Sequence, residues 1–224
     1  MRQITQNPDV ILPAMEPRTS ALLGRLSESA TIAMARKAAE LKSSGVDVIS
    51  LSLGEPDFDT PDAMKAAGIE AIEQNITHYT PVPGLADVRE AIARKFLRDN
   101  GLAYSADQIV VSNGAKQSIT NVVLSLVDPG EEVILPAPYW VSYADMVAFA
   151  GGTAVVLPTR IDEDFKIQPE ALEAAITDKT RLLIYSSPCN PSGSVYTKAE
   201  TAAIADVLRR HPHVYAISDE IYEL

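Results

Sequence analysis

The chain has little of what secreted, membrane-spanning and nucleic-acid-binding proteins depend on. Cys189 is the only cysteine in 224 residues, so no disulfide can form within the chain, which is typical of a reducing compartment. No run approaches the roughly 20 consecutive apolar residues that a membrane-spanning helix needs. The N-terminal segment lacks the continuous apolar stretch of a secretory signal. We therefore expect a cytoplasmic protein with no membrane partner.

Positive charge is also scarce. The 19 basic residues face 30 acidic ones, and the net charge is -11. This balance argues against nucleic acid as a partner, because phosphate backbones are bound by clustered Lys and Arg. It leaves room for a local anion site built from backbone N–H groups. The hydrophobic content of 46% is enough for one large core.

From Gln108 onward, strand-like and helix-like segments alternate. The pattern predicts strands at 108–112, 132–135, 153–157, 181–185 and 213–217. It predicts helices at 114–127, 139–150, near 169–176 and at 197–210. Such alternation favours an α/β fold with a mostly parallel sheet and helices on both faces.

The N-terminal part has a different organisation. Residues 1–28 are predicted to be an arm, and helices are expected from Ala30 to Ser44, from an N-cap near Asp59–Asp62, and from Leu85 to Asn100 with Gly101 closing it. We expect residues 1–60 to form an arm and part of a small domain, and residues 61–224 to form a larger domain.

A glycine turn at the predicted start of the helix at 114–127 is a candidate anion site. Gly114 follows a strand-like segment and lets the backbone approach a ligand closely. Free N–H groups in a first helical turn suit a phosphate. An ordinary helix start with a glycine turn explains the same residues.

Polar and aromatic side chains follow three of the predicted strands. Asn190 and Asp219 come after the strands at 181–185 and 213–217, and Trp140, the only tryptophan, comes after the strand at 132–135. In a parallel sheet these strand ends share one edge, where ligands bind. An Asn donates to a ligand oxygen, an Asp pairs with a cationic ring nitrogen, and a Trp forms a platform for a planar ligand. Tyr222 joins them if a helical turn begins after Asp219.

Each of these residues has a simpler explanation as well. The segment around Asn190 is typical of a β-turn, Asp219 suits a helix N-cap, and a lone Trp usually packs in a core. These simpler explanations would all have to hold at once, at the ends of successive strands. We therefore favour a shared site as the interpretation of these residues.

Taken together, the motifs resemble the class I/II aminotransferases, which are pyridoxal-phosphate enzymes of the aspartate aminotransferase type. The motifs are Ser112–Gln117, Pro138–Trp140, Ser187–Gly193, Ser218–Tyr222, Ser52–Pro61 and Tyr79–Gly84. The likeness runs from about Ser29 to the last residue and is strongest to bacterial aspartate/prephenate aminotransferases. It implies the pyridoxal-phosphate-dependent transferase fold of type I, truncated before its C-terminal part.

The resemblance also implies a role for each candidate residue. The backbone of Gly114, Ala115 and Lys116 would bind the phosphate of pyridoxal 5'-phosphate. Trp140 would stack on its ring, Asn190 and Tyr222 would hydrogen-bond the ring oxygen, and Asp219 would keep the ring nitrogen protonated. Tyr79 would reach the phosphate of a partner subunit in a homodimer. Gly54, Trp140 and Asn190 would lie near the substrate.

Two residues of the family pattern are missing. The Schiff-base lysine and the arginine that binds the substrate carboxylate would both lie beyond Leu224, and no lysine in the chain matches that position. Because the lysine is both anchor and proton carrier, we expect this chain to be an inactive fragment of an aminotransferase that favours aspartate.

Other functions share the same residues. A carbon–sulfur lyase or a cyclopropane-carboxylate synthase on this fold would use the same cofactor contacts. A truncated product without catalytic function is a further alternative. A pyridoxal-phosphate-binding regulator is disfavoured, because the N-terminal region offers no basic helix for DNA.

Overall fold

The computed structural model describes residues 19–26, 30–51, 54 and 56–223. Its α-helices are α1 (Ala30–Ser43), α2 (Asp62–Glu73), α3 (Ala86–Lys95), α4 (Ala115–Leu126), α5 (Ser142–Ala150), α6 (Pro169–Ala175) and α7 (Lys198–Arg210). Its strands are β1 (Glu132–Ala137), β2 (Thr153–Pro158), β3 (Thr180–Ser186) and β4 (Tyr215–Asp219).

The four strands form one parallel sheet in the order β2-β1-β3-β4. In the register of β3 and β4, Leu183 lies beside Ala216 and Ser186 lies beside Asp219. The last residues of these two strands therefore reach the same edge of the sheet.

Side chains of β1 and β3 alternate between two separate cores, as the period of a strand requires. One core packs α4 and α5 against one face of the sheet, through the buried side chains Ile119, Val123, Tyr143, Met146, Val147, Val133, Leu135, Leu182 and Ile184. The other packs α6 and α7 against the opposite face, through Leu172, Ile204, Val207, Ile134 and Leu183. The predicted α/β fold with helices on both faces is confirmed.

The N-terminal helices are attached differently. Neither α2 nor α3 has a buried residue. The turn before α3 is joined to the later chain where the N–H of Val111 donates to the carbonyl of Pro83 at 3.0 Å. The Arg89 guanidinium donates to the carbonyl of Ala106 at 2.9 Å. Gly101 ends the helical segment with a φ of +69°, as predicted.

Two expectations about local structure are wrong. Residues 109–112 form no strand, because the Val111 N–H pairs with Pro83 rather than with any of the four strands described, and Ala106–Gln108 is a 3-10 turn. Helix α2 begins after Pro61 without any side-chain cap. Proline has no polar side-chain atom to offer the first turn, so the side-chain cap predicted within Asp59–Asp62 does not form.

Several predictions fall outside the described residues. These are the arm at residues 1–18 and 27–28, Ser29, where the likeness to the family begins, and Ser52, Leu53 and Glu55 of the motif Ser52–Pro61. None of the helices in the described part of the chain has the length and apolar character that a membrane crossing requires.

Candidate active site

A cavity of about 520 Å³ lies at the edge of the sheet where β3 and β4 end. Six of the nine predicted site residues line it: Gly54, Ala115, Trp140, Asn190, Asp219 and Tyr222. These residues are separated by up to 168 positions in sequence. The parallel sheet brings them together, because Asp219 ends β4, Asn190 follows the end of β3 and Trp140 follows the end of β1.

Asp219 is held from two sides. Its Oδ2 accepts a hydrogen bond from the hydroxyl of Tyr143 at 2.6 Å, and its Oδ1 accepts one from the backbone N–H of Ile221 at 3.3 Å. The side chain is half-buried and faces the cavity. A carboxylate placed in this way is suited to bind a cationic or proton-bearing nitrogen of a ligand.

Tyr143 belongs to the core as well as to the cavity wall. It is 1% exposed, and burial, followed by its hydrogen bond to Asp219, raises the pKa of its phenol above the ordinary value of 10.0. The hydroxyl therefore stays protonated at physiological pH. It acts as a permanent donor to the carboxylate of Asp219.

Trp140 packs against the core and also faces the cavity, so both interpretations of its sequence position apply. Its ring packs edge-on against Tyr143 with the centroids 5.5 Å apart, and it contacts the core on the α4–α5 side of the sheet. It also lines the cavity. The ammonium of Lys116 lies 4.9 Å from the Trp140 ring centroid, a distance typical of a cation–π contact.

The start of α4 forms one wall of the cavity. Gly114 is the N-cap with a φ of +86°, a backbone conformation that residues with a side chain rarely adopt. Ala115, the first residue of the helix, lines the cavity. Gly114 and Lys116 are its neighbours in the chain and are not among the lining residues. The N–H of Gly114 donates to the carbonyl of Ser112 at 2.8 Å, and the N–H of Gln117 donates to the carbonyl of Gly114 at 3.1 Å. The N–H groups of Ala115 and Lys116 come before the first hydrogen bond within the helix, so these two donors are what the wall offers to an anion.

The remaining predicted residues occupy less enclosed positions. Tyr222 lies in a turn rather than in the start of a helix, with the Glu223 N–H donating to the carbonyl of Glu220 at 3.0 Å, and it is 52% exposed. The backbone N–H of Asn190 donates to the Ser186 hydroxyl at 3.3 Å. Tyr79 is fully exposed and does not line the cavity.

The structure adds residues to the site that the sequence did not single out, above all Tyr143 and Ser186. Tyr143 lies one helical turn after Trp140 and shares a helix face with Met146 and Val147, so its spacing indicated a core position only. Its pairing with Asp219, 76 positions away, has no local signal in the sequence. No lysine lines the cavity within the described residues.

Comparison with known proteins places these observations in a family. The family model for aminotransferase class I and II matches residues 46–224. The aspartate/prephenate aminotransferase of Cereibacter sphaeroides is 51% identical over 204 residues, which cover 91% of this chain and 51% of that protein. A Petunia hybrida protein named bifunctional aspartate aminotransferase and glutamate/aspartate-prephenate aminotransferase is 50% identical, over 94% of this chain and 43% of that one.

Solved structures give the same result. The aspartate aminotransferase of Thermus thermophilus with maleate superposes with a TM-score of 0.89 at 44% identity, covering 93% of this chain and 54% of that chain. The aspartate aminotransferase from Rhizobium meliloti superposes with a TM-score of 0.88 at 41% identity, covering 91% and 51%. The chain thus spans about half the length of the relatives it matches.

Proposed function

Because this chain belongs to the class I and II aminotransferases, we propose that it forms the cofactor-binding part of an enzyme that moves an amino group between an amino acid and a 2-oxo acid. Aspartate is the favoured amino donor, in line with the names of its relatives. The observation that carries the proposal is the convergence of Ala115, Trp140, Asn190 and Asp219 on one cavity. The activity is proposed for the whole protein.

The residues around the cavity fit pyridoxal 5'-phosphate. Its volume of about 520 Å³ is within the range of small-molecule sites. The first turn of α4 offers N–H donors for a phosphate, and Gly114 has open space where a side chain would otherwise stand. The carboxylate of Asp219, which also lines the cavity, supplies the negative charge that a protonated pyridine nitrogen requires.

When bound, this cofactor supplies a cationic ring that withdraws electrons from the substrate carbon. Asp219 would hold the proton on the ring nitrogen, and Trp140 would provide a flat surface for the ring. Asn190 and Tyr222 would donate toward the ring oxygen. The backbone of Gly114, Ala115 and Lys116 would hold the phosphate, with Ala115 and Lys116 as the N–H donors, while Gly54, Trp140 and Asn190 would face the substrate.

We further propose that residues 1–60 form an arm and part of a small domain, that residues 61–224 form the larger domain, and that the whole protein is a homodimer in the cytoplasm. Full exposure of Tyr79 supports a role for that residue at the site of a partner subunit. The apolar side chains of Leu51 and Phe58 are exposed, which supports an interface that covers them in the whole protein.

Replacing Asp219 in the whole protein tests the proposal. With aspartate and 2-oxoglutarate as substrates, Asp219→Asn keeps the shape of the side chain but removes its charge, and Asp219→Ala removes both. We expect each variant to lose at least about 100-fold in kcat, the scale of a lost electrostatic contact in a catalytic site. Near-normal turnover by Asp219→Asn would contradict the role given to this residue.

Substrate class is tested by a panel of amino donors in the wild-type protein. Transfer from aspartate faster than from alanine or aromatic amino acids is the expected result. Comparison of 2-oxoglutarate with prephenate as acceptors then refines the assignment. Cleavage of a carbon–sulfur bond in a thioether amino acid without any amino transfer would favour a lyase on the same fold instead.

A further inference from the structure

The contact between Tyr143 and Asp219 joins the hydrophobic core to the cavity. Tyr143 is 1% exposed and lies in α5, whereas Asp219 is the last residue of β4. The two are connected by a single hydrogen bond of 2.6 Å from the phenol to the carboxylate. Asp219 belongs to a sequence motif but Tyr143 does not, so the pairing of the two rests on geometry alone.

We propose that Tyr143 is a positioning residue that fixes the carboxylate of Asp219 for its contact with the ring nitrogen of the cofactor. The proposal rests on the function proposed above, because it concerns how the same site holds pyridoxal phosphate. It assigns a role to a residue whose position in α5 otherwise indicates only core packing.

The hydrogen bonds of Asp219 explain how positioning works. The Tyr143 hydroxyl holds Oδ2 and the Ile221 N–H holds Oδ1, so the carboxylate cannot rotate without breaking one of these bonds. A carboxylate has about four lone-pair sites, so each oxygen still has one free for a donor in the cavity. A hydrogen bond to a charged acceptor is about twice as strong as one between neutral groups, which makes the Tyr143 contact the stronger restraint.

The ring of Tyr143 is itself closely packed. It packs edge-on against Trp140, with centroids 5.5 Å apart, and is stacked near Tyr139 at 6.5 Å. Its backbone N–H donates to the carbonyl of Trp140 at 3.0 Å. The hydroxyl therefore projects from a fixed ring, and a Phe at this position would keep the ring packing while removing only the donor.

The test compares cofactor binding by the wild-type whole protein and by Tyr143→Phe, using two ligands. One is pyridoxal 5'-phosphate, and the other is its 1-deaza analogue, which has a carbon in place of the ring nitrogen. We expect Tyr143→Phe to bind pyridoxal phosphate about 10-fold more weakly, as the loss of a hydrogen bond to a charged group predicts. Binding of the deaza analogue should change less than about twofold, because it has no nitrogen for Asp219 to contact.

Tyr196→Phe is the matched control, since it also removes the hydroxyl of a tyrosine that is partly buried and hydrogen-bonded. The Tyr196 oxygen accepts a hydrogen bond from the N–H of Ile167 at 2.9 Å, on the side of the sheet that packs α6 and α7. We expect this variant to be less stable to urea than the wild type, with its affinity for both ligands unchanged. A general loss of stability would then be separated from a loss of positioning.

Each outcome decides between the two proposals. If the wild type binds pyridoxal phosphate and Tyr143→Phe binds it equally well, the positioning role is wrong while the proposed function stands. Equal weakening toward both ligands also overturns the positioning role, because it indicates that the hydroxyl only supports the shape of the cavity. If the wild type does not bind pyridoxal phosphate, the proposed function itself fails, and the positioning role fails with it.

Discussion

The regions before and after Ile109 use their apolar side chains in opposite ways. Every buried apolar residue in the described part of the chain lies between Ile109 and Val214. Before Ile109, side chains of the same type face solvent, with Leu51 at 91%, Phe58 at 87% and Ile49 at 84% exposure. The later region builds its own core, whereas the earlier region leaves apolar side chains exposed to solvent.

This difference shows that helix formation and core formation are separate properties of the sequence. Helix α2 has local support from contacts such as the Lys65–Asp62 ion pair at 3.3 Å, yet it buries no residue. Local pairs of this kind contribute only a few tenths of a kcal/mol each. The stability of the folded chain therefore depends on the sheet and its two cores.

The largest expected effect comes from emptying the core. Leu183→Ala removes a fully buried side chain from the middle of β3, and we expect a loss of about 2–5 kcal/mol in the free energy of unfolding, measured with urea. Ile72→Ala, at a site 68% exposed in α2, should change it by less than about 0.5 kcal/mol. Similar losses from both would remove the distinction between the regions. An Ile72 effect that grows with protein concentration would show that association covers α2.

The next effect concerns the junction between the regions. Gly84 has a φ of +97°, and a Cβ there would lie 2.9 Å from the Cβ of Val111. We expect Gly84→Ala to cost about 2–4 kcal/mol in urea unfolding, from backbone strain plus the clash. Gly101→Ala is the control, because its φ is +69° with open space around it, and it should cost only about 1–2 kcal/mol. Equal costs for the two variants would mean that the contact with Val111 is not tight.

The predictability of the fold follows the same division. Alternating segments after residue 130 were sufficient to predict all four strands of the sheet and the helices between them, because each strand is a short apolar run that is separated from the next by a helical pattern. The run at 109–112 has the same appearance but is not a strand. In this run the N–H of Val111 donates to the carbonyl of Pro83, which belongs to the earlier region. No local pattern in the sequence identifies that partner.

The site could be predicted as far as its residues follow strand ends. Asn190, Trp140 and Asp219 were found because a parallel sheet brings its carboxyl ends to one edge. Tyr143 could not be found, since a tyrosine on the apolar face of α5 has the same sequence pattern whether or not its hydroxyl reaches a carboxylate. Its partner lies on β4, and only the order of strands in the sheet brings the two together.

A smaller effect is expected at the start of α7, which is capped where α2 is not. The Thr197 hydroxyl accepts the N–H of Glu200 at 3.3 Å, and the Glu200 carboxylate accepts the N–H of Thr197 at 2.6 Å. We expect Thr197→Ala to lower the free energy of unfolding by about 0.5–2 kcal/mol. Thr197→Ser keeps the hydroxyl and should recover most of that loss. If Ser and Ala are equally destabilising, the cap contributes nothing and the methyl group of Thr197 is what matters.

The smallest effect depends on pH and concerns an ionic contact between two helices. The carboxylate of Glu173 in α6 pairs with His211 at 2.7 Å and with Arg210, and these hydrogen bonds, His211 first, hold the pKa of Glu173 below its ordinary value of 4.5. A carboxyl whose pKa is lowered on folding stabilises the folded state above pH 4.5, and this contribution is lost as the pH falls through its folded-state value. Urea unfolding should therefore show Glu173→Gln less stable than the wild type at pH 7, with the difference shrinking below pH 4.5.

Asp62→Asn is the control for this prediction. It breaks a pair within α2 alone and should be nearly neutral at pH 7, because that pair is exposed and local. A Glu173→Gln deficit that persists unchanged at pH 3 would show that the side chain acts through packing rather than through its charge.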